Sequence, residues 1–344
     1  MIRAAVPLNW TWCITGLVVV YCMVTWVACG VWDIGGLFQP TMYFEGYFYT
    51  YLLIIVPFLI GGAWRSRRWP RLFSLIRLPQ HDLPESWRRV MTALPLLISM
   101  PLFMAAFTAM KNLISLIVPF TWDAYLTELD AMIHFGKQPW ELLGIQNWSL
   151  TRFIDLLYIA WVSLQALVHT FVALRAPEDP VRNKFFLTYV LGFILLGNVA
   201  AASFMSAGPF FPWHEGKPHP DFQPLMTYLW HGSETPILKA TYYQEYLQHA
   251  LRSRMSEFGS GISAFPSMHI AVTTLYVLVS WQNRFWRYLA LILLAAMLVG
   301  SVHLGWHYAL DGYASILATV ALWWCAGRLI RKAPAPAPTT SIAT

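Results

Sequence analysis

The chain has 344 residues, 57% of them hydrophobic and only 12% charged, with a mean hydropathy of +0.50. Soluble domains carry about 25% charged residues, so this composition excludes a soluble enzyme with an anchor and fits a polytopic membrane protein. The net charge of +6 sits in arginines grouped by loop, not along one basic face, which argues against nucleic acid as a partner.

A helix needs about 20 apolar residues to cross the hydrocarbon core. Eight runs approach that length: 11–31, 47–63, 90–109, 153–174, 185–205, 267–281, 285–303 and 308–330. The first is too long and too lightly charged for a cleaved leader, so it is expected to remain as a span. The sixth is short, and a tight turn at Gly305 separates the last two. The 18 tryptophans and 16 tyrosines suit a protein with two membrane–water interfaces. Cys13, Cys22, Cys29 and Cys325 all fall in apolar segments, without disulfide or zinc-ribbon spacing, and read as packing residues. Three regions are expected: two spans and a basic loop over 1–89, a catalytic membrane domain over 90–332, and a disordered tail over 333–344.

Positive charge sets the orientation. With the N-terminus inside, 16 of the 23 Lys and Arg fall in cytoplasmic segments, including Arg3, Arg67, Arg68, Arg71 and Arg77. That asymmetry predicts N-in, C-in with an even number of spans. The Lys111 region, the long 207–265 loop, His269, His303, His307 and Asp311 then share the non-cytoplasmic side. Stretches 122–150 and 237–255 mix apolar and polar residues at helical spacing. They fit either interfacial helices or a lid over a site there.

Two motifs lie on that side. In Ser263-Ala-Phe-Pro-Ser-Met-His269, Pro266 is placed to open a helix, whose first free N–H groups suit a phosphate. Ser267 adds a hydroxyl donor, and His269 follows one turn in. In Ser301-Val-His-Leu-Gly-Trp-His-Tyr-Ala-Leu-Asp311, His307 and Asp311 are four apart, which on a helix gives them one face. A carboxylate on one ring nitrogen leaves the other free to act as a nucleophile. Asp311 lies in an apolar run, where an unpaired carboxylate is expensive, so it requires a partner. A His–Asp pair that only stitches two helices satisfies the same requirement. His303 and His307 also have metal-binding spacing, but Gly305 and Trp306 intervene and no His-Glu-x-x-His glutamate is present. His169 reads as a packed residue, while Asp155 and Tyr158, at the outer end of the fourth run, are candidate substrate contacts.

Pro266-Ser-Met-His269 and Gly305-Trp-His-Tyr-x-x-Asp311 resemble the second and third signatures of the type 2 phosphatidic acid phosphatase (PAP2) superfamily. Ser-Ala-x-Pro-Ser-Met-His, Ser206-Ala-Gly-Pro-Phe and the Asp123…Asp130 pattern look closest to the branch holding fungal inositol phosphorylceramide synthases. The resemblance implies an all-helical bundle with a six-helix core, set within the about eight transmembrane helices that the apolar runs give. It implies that His307 attacks phosphorus, Asp311 orients it and His269 protonates the leaving oxygen, with no metal or other cofactor. The family's arginines are absent: Lys111 is followed by Val118-Pro119, and Ser301 stands where the third signature has arginine. Arg252 and Arg254 are the candidate replacements, beside Lys111, Ser263 and Ser267 as phosphate contacts.

The expected activity is that of a lipid phosphatase or phosphotransferase of the plasma or inner membrane, with its site on the periplasmic or lumenal side. Phospholipid, sphingolipid or polyprenyl phosphate is the substrate, and water or an alcohol is the acceptor. The rival reading is a lipid or small-molecule transporter, or a membrane scaffold. Transporter sites tend to lie at the midplane on repeated halves, whereas here the polar groups gather at one leaflet and no repeat shows.

Overall fold

Backbone polar groups inside a bilayer find no water, so apolar runs must close their hydrogen bonds internally as helices. The computed structural model describes residues 9–66, 84–211, 219–231 and 238–332, and among these it is helical with no strand. In chain order come α1 (Trp10–Val31), α2 (Phe44–Ser66), α3 (Glu85–Ile117), and the short α4 (Asp123–Ile133) and α5 (Pro139–Leu143). Then follow α6 (Trp148–Ala173) and α7 (Pro180–Ile194), which runs on through a π-helical stretch into α8 (Ala201–Ser203). The last five are α9 (Gln223–His231), α10 (Lys239–Ser253), α11 (Met268–Val279), α12 (Arg284–His303) and α13 (Ala309–Lys332).

Side-chain caps set several starts. Asn9, Asn147, Asp179 and Asn283 each accept a first-turn N–H, of α1, α6, α7 and α12 respectively. Pro180 follows its cap at the position where a missing N–H costs nothing.

Among the described residues, seven helices are long and apolar enough to span a membrane: α1, α2, α3, α6, α7 with its continuation to Ser203, α12 and α13. The expected span at 267–281 holds α11, whose 12 residues make about 18 Å of helix against a core of about 30 Å. Nine of its residues are buried among α7, α12 and α13, so protein and not lipid surrounds most of it. The run at 90–109 lies inside a longer helix, since α3 has 33 residues. That extension places Lys111 on a helix, not in a loop.

α1 packs along α3, and α2 against α6 and α3, so the N-terminal spans belong to the same bundle as the rest. Arg182 locks one end of that bundle. Its fully buried guanidinium donates to Ala173 O at 3.0 Å, Thr11 Oγ1 at 3.0 Å and Thr92 O at 2.8 Å. These contacts bring the starts of α1, α3 and α7 to the end of α6. Arg88, Arg89, Arg284, Arg287, Arg328 and Arg331 lie on helix ends at this same end of the bundle. The loops carrying the histidine motifs lie at the other end. Arg3, Arg67, Arg68, Arg71, Arg77, Lys217 and the 333–344 tail fall outside the described residues.

Candidate active site

α13 begins at Ala309, so His307 stands in the turn before it and Asp311 in its first helical turn. The shared helical face expected from their spacing is therefore not what joins them. The chain folds back at Gly305, the His307 N–H donates to Ser301 O at 3.1 Å, and the ring is carried over Asp311. His307 Nδ1 lies 3.1 Å from Asp311 Oδ2 and 2.8 Å from Ala264 O. Both neighbours are acceptors, so Nδ1 carries the proton and Nε2 of the neutral ring keeps its lone pair. Asp311 is fully buried, and Oδ2 also accepts the Tyr308 N–H at 3.0 Å.

His269 sits in the first turn of α11. Pro266 is not in that turn: it precedes the N-cap Ser267, and the Phe265–Pro266 peptide is cis. The His269 ring lies between Tyr158, stacked at 4.4 Å between centroids, and Trp161 at 4.1 Å. Its centroid is 5.9 Å from that of His307, close enough for one phosphoryl group to touch both. Ser267 is buried, and its hydroxyl has no partner among the described residues.

Two aspartates of α4 brace this arrangement from outside. Asp123 accepts the N–H groups of Ala207 and Gly208, each at 2.9 Å, and the Tyr308 hydroxyl at 3.0 Å. Asp130 accepts the N–H groups of Ala309 at 2.8 Å and Leu310 at 3.2 Å, capping α13 from a different helix. Burial pushes both carboxyls up, Asp130 to about 6, against the opposing pull of those N–H donors. Gly208 has φ +96°, and a Cβ there would lie 2.6 Å from Trp306 O, so only glycine lets this loop meet the His307 turn.

A second glycine loop docks on the end of α3. Gly261 has φ +99°, and a Cβ would approach Lys111 Cγ to 2.9 Å and Asn112 N to 3.0 Å. Asn112 donates to Ser260 Oγ at 2.7 Å, and Ser115 Oγ donates to Ile262 O at 2.7 Å. This contact brings Lys111 to a cavity of about 370 Å³ that it shares with Ser263, His269, His307 and Tyr158. No carboxylate pairs with Lys111 among the described residues. Tyr243, Tyr246 and Leu247 of α10 form part of the cavity wall, so the 237–255 stretch covers the site.

The remaining candidates lie elsewhere. Asp155 faces away and caps α10, accepting the N–H groups of Lys239 at 2.7 Å and Ala240 at 2.8 Å. Arg252 and Arg254 are exposed at the end of α10 and do not line the cavity. His303 Nε2 lies 2.8 Å from Thr151 Oγ1. His169 is fully buried among the rings of Phe185, Phe186 and Tyr189.

Residues 124–325 match the family model of the PAP2 superfamily. The chain belongs to the PAP2 superfamily. No curated protein and no solved structure matches it. PAP2 membership points to phosphatase-type activity on phosphoesters. The PAP2 match contains His269, His307 and Asp311 but stops short of α1–α3, so Lys111 comes from outside it. At the position where the PAP2 signature carries arginine, the Ser301 hydroxyl donates to Leu298 O at 2.9 Å.

Several site residues had no assigned role from the sequence. Trp161 follows Tyr158 at the i,i+3 spacing that gives one helical face, a signal available in the sequence. Asp123 and Asp130 are seven apart in an otherwise amphipathic segment, again one face. The Ala264 carbonyl leaves no trace in side-chain identity.

Proposed function

We propose that this PAP2 protein is a membrane enzyme that cleaves the phosphoester of a lipid through a phosphohistidine on His307, at the non-cytoplasmic face. The observation that carries the reading is the placement of His307 Nδ1 between two acceptors, Asp311 Oδ2 and Ala264 O, which leaves Nε2 as the nucleophilic nitrogen. Nε2 attacks phosphorus as the bond to the leaving oxygen breaks, and that oxygen takes the proton of His269. The Tyr158 and Trp161 rings flank His269 and hold its ring beside that of His307. Lys111 faces the phosphoryl oxygens as a point charge. In the second half, neutral His269 removes a proton from the acceptor hydroxyl, whose oxygen attacks phosphorus and frees Nε2. Water as acceptor gives hydrolysis; an alcohol gives transfer, as the Ser263–His269 resemblance to inositol phosphorylceramide synthases suggests. Phospholipid, sphingolipid and polyprenyl phosphate are the substrates to compare, with free phosphate and new lipid product both followed.

His307→Ala is expected to reduce turnover to background and to abolish acid-labile phosphate labelling of the protein, while the protein still inserts into the membrane. Retained labelling in that variant would sink the mechanism.

A further inference from the structure

The cavity does not end at the histidines. It continues along α3 from Lys111 to Met104 and along α6 from Tyr158 to Gln165, about 10 Å of helix in each case. Its inner end reaches Phe193 of α7 and Tyr47 of α2. Among the described residues, no charged side chain lines it below Lys111. Tyr43 Oη of this wall lies 2.7 Å from Thr108 Oγ1 and Gln165 Oε1 accepts the Tyr189 hydroxyl at 2.6 Å, while Tyr158 Oη and Trp161 Nε1 have no partner among the described residues. The void is thus charged at one end and mainly aromatic and aliphatic at the other, the complement of an amphiphile.

We infer that this inner arm takes one hydrocarbon tail of the phosphoester substrate, tail-first into the bundle, and that α2 and α3 select the tail. The catalytic histidines lie within the PAP2 match, whereas Tyr43, Tyr47, Met104, Phe107 and Lys111 all precede it. The shared part of the chain therefore carries the chemistry, and the N-terminal part builds one wall of the tail site and supplies the cation at its mouth. Gly259 N–H donates to Tyr43 Oη at 2.9 Å, so that wall is tied directly to the glycine loop before α11. The assignment of the head group to the histidine end rests on the function proposed above; the tail site is tested without turnover.

The test uses full-length His307→Ala protein in lipid nanodiscs with two probes, a long-chain alkyl phosphate and a polyprenyl phosphate. Each carries a diazirine at the end of the tail far from phosphate. Crosslinks to Met104, Phe193 or their neighbours on the cavity wall are expected, and the probe that gives them identifies the tail as linear or prenyl. Crosslinks confined to outward-facing residues of α2 such as Leu53 and Val56, with both probes, overturn the inference. Val162 lines the arm, and Val162→Trp in the same background should cut internal labelling by at least tenfold at an unaltered thermal unfolding temperature. Undiminished labelling in that folded variant also overturns it. In the active protein, the increase of kcat/KM with chain length should flatten in Val162→Trp. If no phosphoester turns over at all, the enzymatic reading fails, while the crosslinks still decide the tail site.

Discussion

At the scale of single residues, the site depends on which atoms surround each nitrogen. A ring nitrogen between a carboxylate and a carbonyl has one available protonation state, and this orders the roles of His307 and Asp311 more firmly than their spacing does. The same reasoning separates the candidate cations. Lys111 lines the cavity and has no carboxylate partner among the described residues, whereas Arg252 and Arg254 are exposed beyond the end of α10. Charge-assisted hydrogen bonds to phosphate contribute about 1.5–3 kcal/mol each. Lys111→Ala should therefore lower kcat/KM by about 10²-fold, at about 1.4 kcal/mol per tenfold. The Arg252→Ala, Arg254→Ala double variant should stay within about threefold of the wild type, as expected for solvated charges. Steady-state kinetics on one lipid phosphate compares them, and a larger loss from the arginine pair would return the clamp to α10.

At the scale of elements, α4 holds the site together without entering it. Its two buried carboxylates reach the 206–208 loop and the 308–310 segment that opens α13, so two segments distant in sequence are referred to one short helix. Asp155 performs a similar service for α10, which covers the cavity. Close approach between loops makes this bracing sensitive to small additions. Gly208→Ala places a methyl group against the Trp306 carbonyl at a φ unfavourable to alanine. The change should destabilise the protein by more than about 1 kcal/mol and lower activity at least tenfold through displacement of the His307 turn. Thermal unfolding and turnover, measured together, check this; a fully active and equally stable variant would show that the loop tolerates displacement.

At the scale of the whole molecule, the bundle has two unlike ends. One carries the buried Arg182 lock and the basic helix termini, and the other carries the cavity mouth, α4, α5, α9 and α10. Basic ends face the cytoplasm in polytopic proteins, and on that rule we propose an outward-facing site with both termini inside. A green fluorescent protein fused after Lys332 should fluoresce, and alkaline phosphatase fused after Glu257 should be active. The reverse pattern would place the site in the cytoplasm. The short α11 fits this architecture because its neighbours enclose it, so its length need not match the bilayer.

The sequence alone determined the helical membrane class, most span positions and the histidine–aspartate motifs, because apolar length, caps and the Gly305 turn act between residues near one another in the chain. It did not determine what surrounds those motifs. Arg252 is close to Gly259 in sequence but does not line the cavity, because its side chain is exposed where α10 ends. Lys111 is distant in sequence and lines the cavity, because α3 runs past its apolar run and the Gly261 loop docks on it. The Ala264 carbonyl, the Trp161 face and the two α4 carboxylates were likewise placed by helix packing, whose contacts depend on how whole elements seat against one another.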